Sequence, residues 1–577
     1  MSWLSYCYKT YQNSVSEIGK QQPGKVPLLP VAHTTQQVNI EVELDKDGNF
    51  QYAGLLAQDQ RTTIIPCTEE SSARTSGMVP HPLVDKLQYI AADYPTFGGS
   101  KESGWPLYHK QLQAWCTSPY AHPAVCTVLH YLEKECLIAD LVKANILFID
   151  ENGTLPTKWQ GNKEDKPPIL DTLTDSDQTE SFVRFRVDNV DLSRDTTVRE
   201  SFIRFYETQL KDIDYCTVQG IKMPVSTLSP YKIRNPGDRA KLISSNDNTN
   251  YTYRGRFADA AQALSIGYET TQKAHSALRW LVSKQGVNTG DQTVLVWGTQ
   301  NEAVPNVLGD TLDIAQEYNP LAGDDWDDFE EDTERLPADT QEEIARQFNR
   351  AILGYQHQLK DNSQTAVMIL DSATPGRLSI RYYQELQGSK LLANIKDWHD
   401  TFQWQLEYRS VEEPTELGKK PKIKKVVFVG APAPADIAKA AYGEKVDAKL
   451  KQATIERLIP CITNGERFPR DLMISAVDRA TNSIGLDYWE QQKTQNIACA
   501  LVRGYYHRNK KVDYPMNVDE TIKDRNYLFG RILACAEQIE RRALIQLGNE
   551  NEKRLTNAER LRTAFALHPA ATTLLLD

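Results

Sequence analysis

The feature that most constrains the fold is a change of pattern near residue 436. From Asp436 to Pro569, apolar residues recur at helical spacing in one segment after another, with short polar connections between the segments. Before that point, segments that alternate apolar and polar residues, as strands do, are interspersed with helical ones. We therefore predict an α+β fold, in which a mixed α/β N-terminal and central region with short antiparallel sheets precedes a C-terminal α-helical bundle.

Length and punctuation predict how these regions divide. A chain of 577 residues is too long for one core, and it predicts roughly three or four domains. The segment "GKKPKIKKVVFVGAPAPAD" is basic and interrupted by prolines, which favours a linker. We predict four regions, namely an N-terminal α+β region, a central α+β region, a linker and a helical bundle, at residues 1–180, 181–418, 419–435 and 436–577.

Three individual elements matter for the argument below. Gln37–Leu56 alternates apolar and polar residues around an Asp-Gly turn and predicts a β-hairpin. A helix that begins at Pro82 would place three apolar residues on one face, namely Leu83, Leu87 and Ile90. The longest helix of the predicted bundle carries an apolar stripe of Leu528, Ile532, Cys535 and Ile539.

The charge balance restricts how the chain could contact nucleic acid. It has 66 Lys and Arg against 77 Asp and Glu, and its net charge of −11 has the opposite sign to that of a typical nucleic-acid-binding domain. From Ile437 to Asp577, 22 basic residues accompany 18 acidic ones, so the rest of the chain carries −15. Any contact with nucleic acid must use local basic patches or the positive field of a partner.

Cysteines and apolar segments exclude further classes of protein. The nine cysteines are scattered and include no C-x-x-C pair, which predicts reduced thiols and no zinc site. No apolar run approaches the roughly 18 residues that a membrane helix needs. The N-terminal segment lacks the basic and then apolar pattern of a signal peptide. These observations predict a cytoplasmic protein without membrane contact.

Enzymatic motifs are absent from the sequence. It contains no phosphate-binding, dinucleotide-binding, serine-hydrolase or zinc-protease signature. The dipeptide His399-Asp400 would need further ligands at helical spacing to hold a metal, and the sequence supplies none nearby, so we interpret it as a helix-surface pair. We interpret His275 as a packing histidine. We predict no catalytic residue, no metal and no cofactor.

The stretch "RTSGMVPHPLVDKLQYI", Arg74 to Ile90, is a candidate anion-binding loop. It places a cation, two hydroxyls and a glycine before a predicted helix, whose free N–H groups favour an anion. The candidate DNA-contacting residues are Arg74, Thr75, Ser76 and Lys86, the last of them one turn into the helix. Two alternatives stay open: an ordinary helix cap, and pairing of Arg74 with a carboxylate such as Glu69 or Glu70.

Two further segments are basic or rich in amides. The loop "SSNDNTNYTYRGRF" combines amides, aromatic rings and guanidinium groups, which can bind base edges, unpaired bases and phosphates. Its candidate DNA-binding residues are Asn248, Asn250, Arg254 and Arg256. The segment "GKKPKIKK" could follow a phosphate backbone with Lys419, Lys420, Lys422, Lys424 and Lys425. A solvated loop and a charged linker, respectively, are the structural alternatives.

An ordered set of segments resembles a known family. They include "RTSGMVPHPLVDKLQYI", "QKAHSALRWLV", "MILDSATPGRLSIRYYQEL", "APAPADIAKAAYG", "IACALVRGYYH" and "TNAERLRTAF", and the full set extends from about residue 60 to 566. Together they resemble the large subunit of the type I-C CRISPR surveillance complex, Cascade, in the Csd family. The resemblance covers nearly the whole chain.

The resemblance implies a non-catalytic subunit of a prokaryotic antiviral complex. Such a subunit recognises the protospacer-adjacent motif in target double-stranded DNA, promotes unwinding and R-loop formation with the crRNA, handles the displaced strand and recruits the helicase–nuclease. The implied partners are the crRNA, the target DNA, backbone subunits of the five-class and seven-class Cas proteins, the helicase–nuclease, and a small subunit that the C-terminal bundle resembles. In type I-C systems internal translation of the same gene can supply the small subunit, and the candidate starts are Met473 and a non-Met codon. A structural scaffold without motif readout and a metal-dependent nuclease are the alternatives.

Overall fold

The chain forms two compact units. The computed structural model describes residues 2–74, 77–99, 101–156, 159, 166–173, 177–234, 237–243, 257, 260–317, 340–359, 363–374, 377–412, 422–482, 486–547 and 556–572. The first unit comprises Met1–Gly286, Thr299–Asn301 and Leu370–Arg381, and the second comprises Val287–Gly298, Glu302–Ile369 and Tyr382–Asp577. The predicted boundaries at residues 180 and 418 do not coincide with this division.

The first unit contains the short sheets. Its strands are β1 (His33–Gln37), β2 (Ile40–Leu44), β3 (Phe50–Leu55), β4 (Thr62–Pro66), β5 (Asp85–Lys86), β6 (Phe182–Val187), β7 (Val190–Asp191), β8 (Ile213–Tyr215) and β9 (Lys222–Pro224). Its helices are α1 (Trp3–Asn13), α2 (Glu69–Ser72), α3 (Leu87–Ile90), α4 (Trp105–Cys116), α5 (Pro123–Leu132), α6 (Leu137–Lys143), α7 (Thr196–Glu207), α8 (Ala260–Ala263) and α9 (Tyr268–Gln285).

The main sheet of this unit supports its core. The strand order is β3-β2-β6-β5, with β7 on the far end of β6. The pair β2–β6 is parallel, as a long connection between two strands allows, and the other pairs of this sheet are antiparallel. Ile40, Val42 and Leu44 of β2 are fully buried, and Trp115 of α4 packs edge-on against Phe202 of α7 with ring centroids 5.0 Å apart. Helices therefore cover the sheet and enclose a single apolar cluster.

The second unit is mostly helical. Its strands are β10 (Val287–Thr289), β11 (Gln292–Gly298), β14 (Trp404–Glu412) and β15 (Lys422–Gly430), together with parts of β12 (Gln364–Thr374) and β13 (Arg377–Gln387). The remaining parts of β12 and β13, within Leu370–Arg381, belong to the first unit. Its helices are α10 (Thr311–Glu317), α11 (Thr340–Gln358), α12 (Gly388–Thr401), α13 (Pro434–Tyr442), α14 (Ala448–Thr463), α15 (Arg470–Thr481), α16 (Tyr488–Tyr505), α17 (Arg525–Gln546), α18 (Asn557–Leu567) and α19 (Pro569–Thr572).

Helix packing dominates the core of this second unit. Trp398 and Phe402 of α12 stack with ring centroids 4.1 Å apart, and Phe468 packs on Phe402 at 5.1 Å. Leu458 and Leu501, from α14 and α16, are fully buried in the same cluster. The predicted α+β class, with short antiparallel sheets followed by C-terminal helices, is confirmed.

Of two predicted local elements in the first unit, the hairpin is confirmed and the helix is wrong. The hairpin predicted at Gln37–Leu56 is confirmed, since β2 and β3 pair antiparallel from Ile40 opposite Leu55. The helix predicted from Pro82 is wrong. Val84 N–H donates to the Pro82 carbonyl oxygen at 2.7 Å around Leu83, whose φ of 64° is left-handed. That tight turn interrupts the backbone, and β5 intervenes before α3 begins at Leu87.

The predicted linker at 419–435 is also wrong in its central part. Residues Lys422–Gly430 form β15, which pairs antiparallel with β14 along its whole length. The prolines that suggested a linker lie just outside this strand, and Pro434 is the first residue of α13, where proline is well tolerated. The run of β-branched and aromatic residues at 426–429 in "KIKKVVFVG" is typical of a strand, whereas the lysines and prolines around it favour a linker.

Helix α17 forms as predicted, but its apolar stripe is not part of a core. Leu528, Ile532 and Ile539 are exposed, the last of them to 70%, and Cys535 is exposed as well. None of the residues of α17 is buried. Among the helices in the described parts of the chain, none is long and apolar enough to cross a membrane.

Candidate nucleic-acid interface

A bidentate ion pair closes the loop that follows α2. Arg74 donates from Nη1 and Nη2 to the two carboxylate oxygens of Asp85, at 2.8 and 2.9 Å, and Nη1 also donates to the carbonyl of Val79 at 2.8 Å. The Asp85 side chain is fully buried, and that of Arg74 is 12% exposed. Paired N–H···O bonds of this kind are strong and geometrically specific. The ion pair therefore holds the two ends of the loop together.

Asp85 also organises the backbone around it. Its oxygens accept the N–H groups of His81 at 2.6 Å and Lys86 at 2.9 Å. The Arg74 guanidinium lies 4.5 Å from the centroid of the Tyr89 ring. Burial opposes the charged form of Arg74, but the hydrogen bonds and charge of Asp85 prevail and raise its pKa above the ordinary value. The charge of Arg74 is thus matched within the protein, and Arg74 positions the loop.

The alternative that pairs Arg74 with a carboxylate is confirmed in kind, with a different partner. Asp85 takes the place that we predicted for Glu69 or Glu70. Glu69 instead accepts the N–H groups of Thr227 and Leu228, at 3.0 and 2.9 Å. Spacing along the chain could not identify Asp85, because the turn at Leu83 brings it back to the start of the loop.

The hydroxyl residues of this loop, Thr75 and Ser76, lie outside the described residues, so their contact with DNA stays a prediction. Lys86 lies in β5 rather than inside a helix, and its ammonium bonds Glu180 together with that of Lys101. Burial opposes ionisation of Glu180, but the two lysines outweigh it and lower its pKa. The side chain of Lys86 is partly exposed, and its contact with DNA stays a prediction.

The second candidate loop lies outside the described residues together with its four predicted DNA-binding residues, Asn248, Asn250, Arg254 and Arg256. Its flanks are described. Lys241 pairs with Arg377 in an isolated bridge, and α8 begins at Ala260, shortly before α9. The residues on both sides of this loop therefore belong to the first unit, as do those on both sides of the first candidate loop.

The basic segment "GKKPKIKK" lies partly outside the described residues and partly in β15. Lys419 and Lys420 lie outside the described residues. The backbone of β15 places Lys422 opposite Glu412, Lys424 opposite Ser410 and Lys425 opposite Arg409. These three lysines lie in a strand that pairs with β14, and not in a linker. Their contact with a phosphate backbone stays a prediction.

Sequence reasoning missed two cations of the first unit, Lys232 and Arg279. Both line a cavity beside α9. Arg279 belongs to the segment "QKAHSALRWLV", where helical periodicity drew attention to the apolar residues. Lys232 lies in "YKIRNPGDR", which contains no motif that marks a binding site. The basic character of these two residues is the signal in the sequence that could have found them.

Neither histidine that the sequence singled out is placed for catalysis. His399 is buried in α12, where Nδ1 lies 2.8 Å from the Thr311 hydroxyl and burial lowers the pKa to about 3. The prediction of a surface pair is therefore wrong for His399. His275 is the predicted packing histidine, with Nδ1 2.8 Å from the Thr271 carbonyl oxygen. Within the described ranges, no three His, Cys, Asp or Glu side chains gather as metal ligands would.

Comparison with known proteins identifies the class of this chain. The model of one family, described as CRISPR-associated protein (Cas_Csd1), matches residues 7–576. No curated protein matches the chain. The chain is thus a CRISPR-associated protein, a subunit of an effector complex of the Cascade kind that contains other Cas proteins. It belongs to the Csd1 family.

Proposed function

We propose that this chain is the non-catalytic large subunit of a type I-C Cascade. In that role it recognises the protospacer-adjacent motif in duplex DNA, promotes unwinding and R-loop formation with the crRNA, handles the displaced strand and recruits the helicase–nuclease. The observation that carries the proposal is the match to a CRISPR-associated family over nearly the whole chain, residues 7–576. In RNA-guided recognition of DNA, a protein reads the short motif and the duplex shape while guide pairing reads the sequence.

The two candidate loops have different roles in this proposal. Arg74 holds the first loop in shape through Asp85, while Thr75, Ser76 and Lys86 provide donors for a phosphate or a base edge. In the second loop, Arg254 and Arg256 supply charge, and Asn248 and Asn250 supply amides. The net negative charge of the chain is compatible with this role, because the five-class and seven-class Cas subunits and the crRNA assemble the complete interface.

The test is motif-dependent binding by the assembled complex. The complex is reconstituted with crRNA and offered duplexes that differ only in the adjacent motif. We expect tighter binding of the motif-bearing duplex, and about a tenfold loss with Arg254→Ala, in the range of a single base or phosphate contact. Arg204→Ala, at an exposed position of α7, is the matched control and should leave affinity unchanged.

Two outcomes would overturn the proposal. Equal affinity for both duplexes would favour a scaffold subunit without motif readout. Metal-dependent cleavage of DNA by the purified chain alone would favour a nuclease.

The small subunit is proposed to arise from internal translation of the same gene. A start at Met473 would begin inside α15 and retain α16 to α19. Expression with a C-terminal tag should yield a second, shorter product, and Met473→Leu should remove it. A single full-length product from the unaltered gene would contradict this part of the proposal.

A further inference from the structure

The first unit contains a small polar cavity beside α9. It lies between α9, the start of β1 and the segment around Lys232, and its lining includes His33, Lys232, His275 and Arg279. The centre of a water molecule can occupy about 50 Å³ of it, several times the roughly 10–15 Å³ that a single water requires. The cavity therefore has room for a small polyatomic ion or several waters.

Arg279 enters this cavity with its charge uncompensated. It is 7% exposed, and its Nη2 donates to the hydroxyl of Thr35 at 2.9 Å. Its Nε–H is buried and bonds no atom of the described residues. No carboxylate of the described chain forms an ion pair with it, and burial lowers its pKa to about 10. At neutral pH Arg279 is therefore a buried cation with a neutral hydroxyl as its partner.

Lys232 adds a second positive charge to the same cavity. Its backbone has a left-handed φ of 62° and donates its N–H to the Asp238 carbonyl oxygen at 2.8 Å, which fixes the residue in place. Its ammonium lies 5.4 Å from the centroid of the Tyr231 ring, and within the described chain it has no acidic partner. Burial lowers the pKa of Lys232, and the like charges of Arg279 and Arg239 lower it further.

Two histidines add hydrogen-bond acceptors to the lining. Nδ1 of His33 and Nδ1 of His275 each lie 2.8 Å from a backbone carbonyl oxygen, those of Val31 and Thr271. Because a carbonyl oxygen only accepts, both Nδ1 atoms carry the proton and both Nε2 atoms are acceptors. Both Nε2 atoms are buried without a partner among the described residues. They suit waters that accompany an anion, or a protonated oxygen of a phosphate monoester.

An uncompensated buried charge is expensive, which points to a missing partner. Removing an ion from water is unfavourable unless an opposite charge offsets it, and proteins pair buried charges for this reason. Here two cations converge on one cavity that has room for an ion.

We propose that this cavity binds a single phosphate group, supplied by nucleic acid when the complex is assembled. Arg279 Nε–H and the Lys232 ammonium donate to the phosphate oxygens. The nucleic-acid source rests on the function proposed above, whereas phosphate binding itself does not. The specific residues of the site are Arg279 and Lys232, which belong to neither of the two predicted loops.

The first experiment measures thermal unfolding of the purified full chain against inorganic phosphate at constant ionic strength. A ligand that binds the folded state raises Tm as its concentration increases. We expect a phosphate-dependent rise in Tm for the wild type and for Arg204→Met, a control that removes an exposed charge from the same unit. We expect no phosphate-dependent rise for Arg279→Met or Lys232→Met. An equal rise in all four proteins, or none in the wild type, would overturn the site.

The second experiment identifies the source of the phosphate. Short single-stranded DNA with and without a 5′-phosphate competes against radiolabelled phosphate on the wild-type chain. Competition only by the 5′-phosphorylated strand assigns a terminal phosphate, and equal competition assigns the backbone. Competition by neither strand overturns the nucleic-acid source while leaving an inorganic phosphate site. Failure of motif-dependent duplex binding with phosphate binding intact would count against the proposed function alone.

Discussion

Two arginines of the first unit are both largely buried, but their charges have different partners. Arg74 makes a bidentate ion pair with Asp85, whereas Arg279 donates to one hydroxyl among the described residues and shares its cavity with Lys232. The comparison shows that a cation in a loop with glycine and hydroxyl residues can form an ion pair inside the protein. A cation inside a regular helix can have no such ion pair among the described residues. A buried cation without an ion-pair partner in the folded protein therefore indicates an external anion better than the residue types beside it in the sequence do.

The largest effect is expected from breaking the matched pair. Asp85→Asn leaves Arg74 buried without a counter-charge, and removing one partner of a buried ion pair costs about 3–5 kcal/mol. We expect that loss in the free energy of unfolding, measured by urea denaturation. Asp471→Asn is the control, because it breaks a similar bidentate pair with Arg457 at the surface, where such pairs contribute at most about 1 kcal/mol.

A loss of less than about 1 kcal/mol with Asp85→Asn, the magnitude of an exposed pair, would remove the distinction. It would show that the Arg74 charge is solvated, and would make Arg74 available again as a ligand for DNA.

The next effect concerns acid stability around the cavity. Burial lowers the pKa of His275 to about 4, below the ordinary value of about 6.5. The unfolded chain therefore takes up a proton first, and folding free energy is lost as the pH falls from about 6.5 to 4. At about 1.4 kcal/mol per pKa unit, one such histidine accounts for roughly 3 kcal/mol.

The variant His275→Asn keeps a donor for the Thr271 carbonyl and cannot be protonated. Urea denaturation at several pH values should give a flatter dependence for this variant than for the wild type between pH 6.5 and 4. Parallel curves would mean that His275 is already solvated in the folded chain.

A smaller effect of opposite sign is expected from the unmatched arginine. Arg279→Met removes a buried charge that has no counter-charge within the described part of the chain, and we expect it to raise the free energy of unfolding by roughly 1 kcal/mol in phosphate-free buffer. Urea denaturation beside Asp85→Asn measures the contrast directly. A loss as large as that of Asp85→Asn would show that Arg279 is compensated by the protein itself.

The smallest effect is expected at the exposed arginine of α7. Arg204→Met should change the free energy of unfolding by less than about 0.5 kcal/mol, as surface substitutions usually do. A larger change in urea denaturation would disqualify it as the reference for the buried arginines.

The sequence predicted the fold class, the β2–β3 hairpin and the C-terminal helices, because periodicity and turn residues are local signals. It did not predict the Asp85 partner of Arg74, since the turn at Leu83 that returns the chain follows no periodic pattern. The prediction of a linker at β15 was wrong because its lysines and the flanking prolines outweighed the run of β-branched and aromatic residues at 426–429. The exposed apolar stripe of α17 shows a further limit of sequence periodicity. Periodicity identifies the apolar face of a helix but does not show whether other elements cover that face.

The cavity around Arg279 could not be predicted from the sequence, because it depends on tertiary packing. Lys232 and Arg279 lie far apart along the chain, and only the packing of α9 against the strand and loop segments brings them together. That no carboxylate among the described residues pairs with Arg279 is likewise visible only in the folded chain. The Thr35 hydroxyl that Arg279 bonds is likewise remote in sequence.

Equilibrium dialysis of radiolabelled phosphate against the purified full chain tests the central claim most directly. The wild type and Arg204→Met should each retain one phosphate per chain, whereas Arg279→Met should retain none at the same phosphate concentration. Equal retention by Arg279→Met and the wild type would contradict the claim that the uncompensated charge beside α9 binds the anion.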